Sequence, residues 1–184
     1  MKVSREQMQA NRRRILDAAG EKFREKGFDA VSVAEVMKAA GLTHGGFYGH
    51  FASKDDLIAQ TVSHLTTETL TRRGDGLEAY IDAYLSPGHR DDRAGGCPTA
   101  ALAADAPRQS PDGRAAMSQG VRAQINRFSR ALSATPDEAD RQAAIGAWAA
   151  MVGAVILSRA VDDEALSDEI LTATRASLRA KTAG

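Results

Sequence analysis

The sequence predicts an all-α protein of about nine helices, because helix-start signals recur along the chain and strand-like alternation is almost absent. Each start signal is a hydroxyl side chain followed by an acceptor three residues later, or by proline at the first helical position. These capping residues are Ser4, Ser32, Ser53, Ser110 and Thr135. Gly27, Gly41 and the Ser86-Pro87-Gly88 break mark helix ends, since glycine adopts the left-handed conformation that follows a helix.

The segments between these signals have the apolar spacing of helices. In the first segment, Ile15, Ala18, Ala19 and Phe23 fall on one face that must be buried. The predicted helices cover residues 5–26, 33–40, 44–50, 54–72, 75–85, 98–106, 111–133, 136–160 and 168–181. We expect a loop over residues 86–97 and a charged joint at residues 162–164.

Composition narrows the class of protein. One cysteine among 184 residues excludes an intramolecular disulfide and disfavours a metal cluster, which fits a reducing compartment. The chain shows neither a signal peptide nor a stretch of about 20 uncharged apolar residues, so we expect a cytoplasmic protein with no membrane partner. Residues 1–54 hold 10 Lys and Arg against 6 Asp and Glu, whereas residues 55–184 hold 14 against 18. Positive charge in the first third suits a polyanionic partner.

A tight turn joins the second and third predicted helices. Gly41 ends one helix, Leu42 can point into a small core, and Thr43 can cap the next helix. This is the pattern of a helix-turn-helix, whose second helix places its first residues in the major groove of DNA. By itself the turn is equally compatible with an ordinary helical hairpin.

Residues around this turn carry a more specific pattern. The motifs are Arg14-Ile15-Leu16-Asp17-Ala18-Ala19, Phe23, Lys26-Gly27-Phe28, Ser32-Val33, Ala40-Gly41-Leu42-Thr43, Gly45, Phe47-Tyr48, His50-Phe51, Ser53-Lys54 and Leu57. In these motifs and their spacing, the window from Arg13 to Val62 resembles the tetracycline-repressor (TetR) family of one-component transcription regulators. The resemblance implies a three-helix DNA-binding head at residues 1–52 and a helical effector-binding and dimerisation domain at residues 53–184.

The resemblance also implies which residues contact DNA. Phosphate contacts would come from Ser32, Val33, Thr43, Tyr48, His50 and Lys54. Base contacts would come from His44, Gly45 and Gly46. The sequence departs from the family at His44, often a lysine there, and at Gly49, where a large side chain is common. Three glycines in the third helix also lower its stability by about 1 kcal/mol each relative to alanine. We therefore expect this helix to form stably only when it packs on other helices or binds DNA.

Several of these residues have a structural alternative. Phe47 is expected in the core, and Tyr48 and Phe51 are expected in or half in the core, although the Tyr48 hydroxyl can reach a phosphate. His50 either contacts phosphate or makes a local hydrogen bond. The run of residues 12–14, all arginine, faces several directions on a helix, and we expect one of the three to touch the DNA backbone.

Small residues on the penultimate helix predict a close-packed interface. They are Gly146, Ala147, Ala150, Gly153 and Ala154. The resemblance implies that the helices at residues 136–160 and 168–181 form a four-helix bundle with a second copy of the chain. Such a two-fold dimer predicts a pseudo-palindromic operator. The alternative is that the stripe fills the protomer's own core.

An effector pocket is expected between helices of the larger domain, with a small molecule that releases the DNA. Its candidate lining, chosen by residue type and position, is Tyr80, Tyr84, Leu102, Met117, Val121, Ile125, Phe128 and Trp148. Cys97, which precedes Pro98, would cap a helix and is a possible sensor of electrophiles or oxidants, although a small buried residue is the simpler interpretation.

Other classes of protein fit less well. The sequence has no glycine-rich phosphate loop and no carboxylate-histidine spacing typical of a metal enzyme, and its four histidines are scattered, so we expect neither an enzyme nor a cofactor or metal. A DNA-binding architectural protein without an effector, and an activator in place of a repressor, remain alternatives.

Overall fold

Helices account for all regular secondary structure in the computed structural model, which describes residues 4–71 and 76–182. The α-helices are α1 (Arg5–Lys26), α2 (Val33–Ala39), α3 (Lys54–Thr71), α4 (Leu77–Tyr84), α5 (Pro87–Asp91), α6 (Pro98–Leu102), α7 (Pro111–Leu132), α8 (Glu138–Ala160) and α9 (Glu164–Thr182). Two 3₁₀ helices cover His44–Gly49 and Ala106–Arg108. The predicted all-α class is confirmed. The predicted helix limits at residues 72 and 75 lie outside the described residues.

Serine caps begin four helices as the sequence predicts. In each case the serine hydroxyl oxygen accepts a hydrogen bond from the backbone N–H three residues later, at 3.0 to 3.3 Å. The four serines are Ser4, Ser32, Ser53 and Ser110. Each hydroxyl satisfies one of the backbone donors that a helix N-terminus leaves without a partner.

The helix predicted at residues 98–106 ends at Leu102, and Ala106–Arg108 forms a separate 3₁₀ helix.

Three other differences from the predicted helix limits have local reasons. Residues 86–97 are not all loop, because Ser86 caps the short helix α5 with Pro87 at its first position. Helix α8 begins after Asp137 and not after Thr135, since Asp137 and Asp140 form a reciprocal capping box. Helix α9 begins four residues earlier than predicted, and the Asp163 carboxylate accepts from the Leu166 N–H at 3.1 Å.

Two clusters of buried side chains form the core. The first contains residues of α1, α2, the 3₁₀ segment and α3, together with Leu102, Ala116 and Met117 from α6 and α7. The second joins α4, α7, α8 and α9. Val121 of α7 packs against both clusters, and α7 lies along α3. The first third of the chain therefore shares its core with the helices that follow.

Helix α8 is long and apolar enough, by length and composition alone, to cross a membrane. The sequence prediction that no segment has this property is therefore wrong. A single helix of this kind is also typical of an apolar packing helix in a protein that crosses no membrane.

Candidate nucleic-acid interface and effector core

The turn of the predicted helix-turn-helix is built on Gly41. Its φ of +67° lies in the left-handed region, which glycine adopts without the steric cost that a Cβ brings. The Leu42 N–H then donates to the Met37 carbonyl oxygen at 2.9 Å and closes the end of α2. The Leu42 side chain packs against the first core cluster, as predicted. This geometry fixes the direction in which the chain enters the next segment.

The predicted third helix is a 3₁₀ segment, His44–Gly49, and not an α-helix. Thr43 takes the cap position, but its side chain makes no capping hydrogen bond. Glycines at positions 45, 46 and 49 leave the segment with little intrinsic preference for α-helix, so packing decides its conformation. We name residues 44–49 the recognition segment.

One aromatic side chain of the recognition segment anchors it, and the next one faces solvent. Phe47 is 1% exposed and stacks on Phe51, with ring centroids 5.7 Å apart, so both are core residues. Tyr48 is 74% exposed and meets Phe47 edge-on. The prediction of a core or half-core position for Tyr48 is wrong, because Phe47 and Phe51 already fill the space beneath the segment. Tyr48 is free to contact a ligand.

The other residues predicted to contact DNA fall into two groups. The exposed group is Ser32, Thr43, His44, Gly45 and Gly46. The half-buried group is Val33, His50 and Lys54. The Lys54 ammonium donates to the Asp29 carbonyl oxygen at 3.4 Å, which places it beside the loop that leads into α2.

Arg12 positions the end of the recognition segment, a role that the sequence analysis missed. Its guanidinium donates to the His50 carbonyl oxygen and to the Gln60 side chain, and it lies 4.6 Å from the centroid of the Phe51 ring. Gln60 donates to Asp56 at 2.6 Å, a hydrogen bond that lowers the pKa of the Asp56 carboxyl. Only the folded chain brings these residues together, so nothing in the sequence distinguishes Arg12 from its two neighbours.

Glu35 changes the chemistry of the α2 N-terminus. Its carboxylate accepts from both the N–H and the hydroxyl of Ser32, at 2.8 and 3.0 Å, and forms an ion pair with Lys26 at 3.4 Å. Hydrogen bonds from Ser32 are the main cause of the lowered pKa of Glu35. The Ser32 hydroxyl therefore has its donor already engaged, with a carboxylate beside the site where a phosphate contact is predicted.

The predicted effector lining divides between the two core clusters. Leu102 and Met117 belong to the first cluster, so their grouping with the rest is wrong. The other six, which lie in or against the second cluster, are Tyr80, Tyr84, Val121, Ile125, Phe128 and Trp148. Four aromatic rings of this set pack at centroid separations of 5.5 to 5.9 Å and fill the space between them. We call this group of rings the aromatic core.

Buried polar atoms surround the aromatic core. The Gln124 side-chain oxygen and the Trp148 indole nitrogen have no hydrogen-bond partner among the described residues, whereas the Tyr84 hydroxyl interacts with the Cys97 side chain. Burial raises the pKa of both Tyr80 and Tyr84, so their hydroxyls remain protonated donors. Unpaired buried polar groups cost about 1–3 kcal/mol each, and a polar ligand relieves that cost.

Two cavities adjoin the aromatic core at Phe128. The larger one, of about 600 Å³, lies between α4, α7, α8 and α9. Its lining is mainly apolar, with Gln142, Thr174 and Ser177 as polar members. The smaller one, of about 170 Å³, adds Tyr80 and Arg127 to its walls. Only Phe128 and Tyr80 of the predicted lining face these cavities.

Cys97 is buried at the N-cap of α6, as predicted, and Pro98 is the first helical residue. Its N–H donates to His89 Nε2 at 3.0 Å, while His89 Nδ1 lies 2.7 Å from the Tyr84 carbonyl oxygen. The His89 ring packs on the Tyr84 ring at 4.5 Å. The thiol therefore borders the aromatic core and not the protein surface.

One side of α8 is apolar and uncovered. No charged residue lies between Arg141 and Arg159, and apart from Gln142 the exposed residues of this stretch are small or apolar. Ile145, Ile156 and Leu157 are the large exposed members. We call the exposed side of α8, residues 142–157, the α8 face. A Cβ added at either glycine of this face would meet nothing within 4 Å.

Comparison with known proteins supports the fold and the head. The HTH-type transcriptional regulator YvdT of Bacillus subtilis is 44% identical over 57 residues, which are 31% of this chain and 29% of that protein. AcrR of Shigella flexneri is 39% identical over 57 residues, 31% of this chain and 26% of that protein. The chain thus spans less than a third of the length of these relatives.

Solved structures match over nearly the whole chain. Reduced NemR of E. coli has a TM-score of 0.75 at 23% identity, and the match covers 92% of this chain and 95% of NemR. A TetR-family regulator from Agrobacterium tumefaciens also has a TM-score of 0.75, at 21% identity, with 92% and 98% covered. These likenesses show the fold.

Family models match both parts of the chain. Residues 15–61 match the model for bacterial regulatory proteins of the tetR family, and residues 74–174 match the model for the tetracyclin repressor-like C-terminal domain. Both models, and the named relatives, describe transcription regulators and not enzymes, in agreement with the sequence prediction. With more than half of its length matched, this chain belongs to the TetR family of transcription regulators.

Proposed function

We propose that this protein is a cytoplasmic, homodimeric repressor that binds a pseudo-palindromic operator and releases it when a small molecule binds. The recognition segment carries this proposal. Tyr48 projects into solvent directly above the buried Phe47, so the segment presents an aromatic hydroxyl on a fixed base. Exposed Thr43 and His44 lie at the start of the same segment.

The contacts divide by chemistry. Thr43, Tyr48, His50 and Lys54 offer donors to phosphate oxygens, and such contacts position the protein without reading the sequence. At the α2 N-terminus, the backbone N–H of Val33 offers a donor to a phosphate in the same way. Ser32 contacts that phosphate only by exchanging its hydrogen bonds to Glu35, because its N–H and its hydroxyl both donate to that carboxylate. His44 and the backbone at Gly45 and Gly46 contact the bases, because glycine has no side chain that would prevent the backbone from approaching the DNA closely.

Selection of random duplex DNA on the purified full-length protein tests the operator proposal. We expect an enriched palindrome that binds with a steep dependence on salt, because several phosphates are neutralised. Tyr48→Ala should weaken binding of that palindrome by about 1–3 kcal/mol, and Tyr48→Phe, which keeps the ring, separates the contribution of the hydroxyl. Absence of enrichment, or unchanged binding by Tyr48→Ala, would contradict the proposal and favour an architectural DNA-binding role.

The α8 face supports the dimer. An uncharged, apolar helix side of this length is typical of a surface that a second protein covers. We propose that α8 and α9 of two copies form a four-helix bundle, which sets the spacing between the two recognition segments.

The cavity of about 600 Å³ and the aromatic core support an effector site. Its volume suits a small molecule, and Gln142, Thr174 and Ser177 offer polar contacts in a mainly apolar lining. The unpaired atoms of Gln124 and Trp148 lie outside this cavity, beside the aromatic core that adjoins it at Phe128. The dimer can adopt a conformation in which the distance between its two recognition segments does not match the operator. A ligand that binds this conformation more tightly increases its population and so lowers the affinity for DNA. Displacement of the selected operator by members of a small-molecule library tests this step, and a filled core that accepts none would favour the ligand-independent alternative.

A cysteine-based sensor is a second candidate mode of release. Cys97 borders the aromatic core, so an adduct on its sulfur would need space that Tyr84 and its neighbours now occupy. Treatment with N-ethylmaleimide should then release the operator from the wild type and not from Cys97→Ser. Release from both proteins, or from neither, would contradict this mode.

A further inference from the structure

An imidazole and two carboxylates meet where α1 packs against α3. His64 Nε2 lies 2.6 Å from Asp17 Oδ1 and 3.6 Å from Glu68 Oε1. One ligand atom from each residue lies within 4.8 Å of the other two. The sequence analysis missed this group because Asp17 is 47 residues from His64, and it did not single out the four-residue spacing of His64 and Glu68.

The helices orient all three side chains. His64 and Glu68 are four residues apart on α3, so they lie one turn apart on the same face. Asp17 reaches this face from α1. A metal ion bound by nitrogen and oxygen at about 2.0–2.2 Å needs donor atoms roughly 3–3.5 Å apart, and the two measured separations bracket that range. The Asp17 and Glu68 oxygens lie within 4.8 Å of each other, and side-chain rotation brings them to the distance that one ion requires.

Burial and charge also suit a cation. The His64 side chain is 17% exposed, whereas Asp17 and Glu68 are 46% and 39% exposed, so the imidazole is fixed and the carboxylates reach solvent. A groove of about 440 Å³ along α1 and α3 includes His64 and Glu68 in its wall. Glu68 also forms an ion pair with the Arg13 guanidinium at 3.7 Å, and a cation would compete with that pair.

We propose that Asp17, His64 and Glu68 form a binding site for Zn²⁺ or another first-row divalent cation. One imidazole and two carboxylates on one side of the ion leave positions for water or a further ligand, as is common for these metals. Binding uses the Nε2 lone pair of neutral His64, so its ring proton moves to Nδ1. The ion links α1 to α3 and holds the helix that carries Arg12.

Metal titration of the full-length, tag-free and chelator-treated protein tests the site. We expect one equivalent of Zn²⁺ per chain by calorimetry, a rise in melting temperature with Zn²⁺, and a Co²⁺ absorption band that Zn²⁺ abolishes. His64→Gln, Asp17→Asn and Glu68→Gln should each weaken binding at least about tenfold, the loss that even an outer-shell partner causes. The matched control is His44→Ala, an exposed histidine on the recognition segment, which should bind as the wild type does.

Three results would overturn the proposal: no stoichiometric binding by the wild type, binding retained in His64→Gln, or binding lost in His44→Ala. Melting of every variant with chelator present checks that it folds. If His64→Gln does not fold, Asp17→Asn and Glu68→Gln decide, because both substitutions conserve shape and retain a hydrogen-bonding side chain. None of these measurements uses DNA, so the result is independent of the operator proposal.

Discussion

Glu35 serves two purposes that conflict at the α2 N-terminus. Its carboxylate completes the capping box with Ser32, and a negative charge near a helix N-terminus stabilises the helix. The same charge repels a DNA phosphate approaching the α2 N-terminus. Lys26, 3.4 Å away, offsets part of this repulsion.

Replacement of Glu35 by glutamine separates the two effects. Glutamine also completes a capping box, so the free energy of unfolding should change by less than about 0.5 kcal/mol. Operator affinity should rise about two- to fivefold at low salt, the scale of one charge at a helix terminus. Fluorescence anisotropy measures the change, and Glu25→Gln, which removes an exposed carboxylate on α1, is the control. Equal affinities for both variants would show that no phosphate lies against α2.

His89 is half-buried and links three backbone segments. Its two ring nitrogens contact the Tyr84 carbonyl oxygen and the Cys97 N–H, so the neutral ring with its proton on Nδ1 satisfies both. Burial lowers the pKa of His89 below its usual value of 6.5, and the nearby charge of Arg159 acts in the same direction. The native state therefore binds this proton less readily than the unfolded chain does.

This lowered pKa predicts a loss of stability in acid. The contribution of His89 is fully present above pH 6.5 and is lost as the pH falls from there through the native pKa. We expect the free energy of unfolding in urea to differ less between pH 7.5 and pH 5.5 for His89→Gln than for the wild type. The reason is that glutamine donates and accepts hydrogen bonds without titrating. His44→Gln should retain the wild-type difference. If His89→Gln also retains the wild-type difference in stability between the two pH values, other groups cause the pH dependence.

The recognition segment combines three glycines with one anchoring ring. A Cβ at Gly45 or Gly49 would meet nothing within 4 Å, so neither glycine is required by packing in the free protein. Gly41 differs because its φ of +67° disfavours any side chain. These glycines therefore predict opposite responses to the same substitution.

Gly49→Ala should stabilise the protein by about 0.4–1 kcal/mol, because alanine restricts the unfolded chain and fits the native backbone. Gly41→Ala should destabilise it by about 1 kcal/mol or more, since the left-handed conformation becomes strained. Urea unfolding followed by circular dichroism measures both variants. A loss of stability in Gly49→Ala would mean that the segment needs a glycine conformation there.

Elements were predictable where their signals are local. Serine caps and the Gly41 turn act within four residues, and the corresponding helix starts and turn are those that the sequence predicts. The 3₁₀ form of the recognition segment and the solvent exposure of Tyr48 depend on Phe47 and Phe51 packing against other helices. Helical periodicity does not encode that competition for space, so the third helix and Tyr48 were predicted wrongly.

The whole molecule depends on a second copy if the α8 face is its dimer interface. Ala149 is exposed at the centre of this face, so Ala149→Glu leaves the protomer core untouched. We expect the variant to be folded but monomeric in analytical ultracentrifugation, with operator binding weakened by at least tenfold. Ala115→Glu, at an exposed position of α7, is the matched control and should remain dimeric. A dimeric Ala149→Glu protein would place the interface elsewhere.

Sites that span the molecule were the least predictable. The aromatic core joins Tyr84 of α4 to Trp148 of α8, and residue type alone identified both. Residue type also selected Leu102 and Met117, which the fold assigns to the other cluster. Long-range partners such as Arg12 with Gln60 have no spacing rule, because their proximity depends on how α1 and α3 cross.

The shared first core cluster limits how such a regulator can be recombined. Ile15 and Phe47 pack in one cluster with Leu102, Ala116 and Met117, so part of the core of residues 1–52 is supplied by α6 and α7. A hybrid that joined residues 1–52 to a foreign C-terminal domain would leave apolar side chains facing a surface that does not fit them. We therefore expect new operator specificities to arise by substitutions within the recognition segment. Residues where residues 1–52 pack against α6 and α7 should change only together with the residues that they contact.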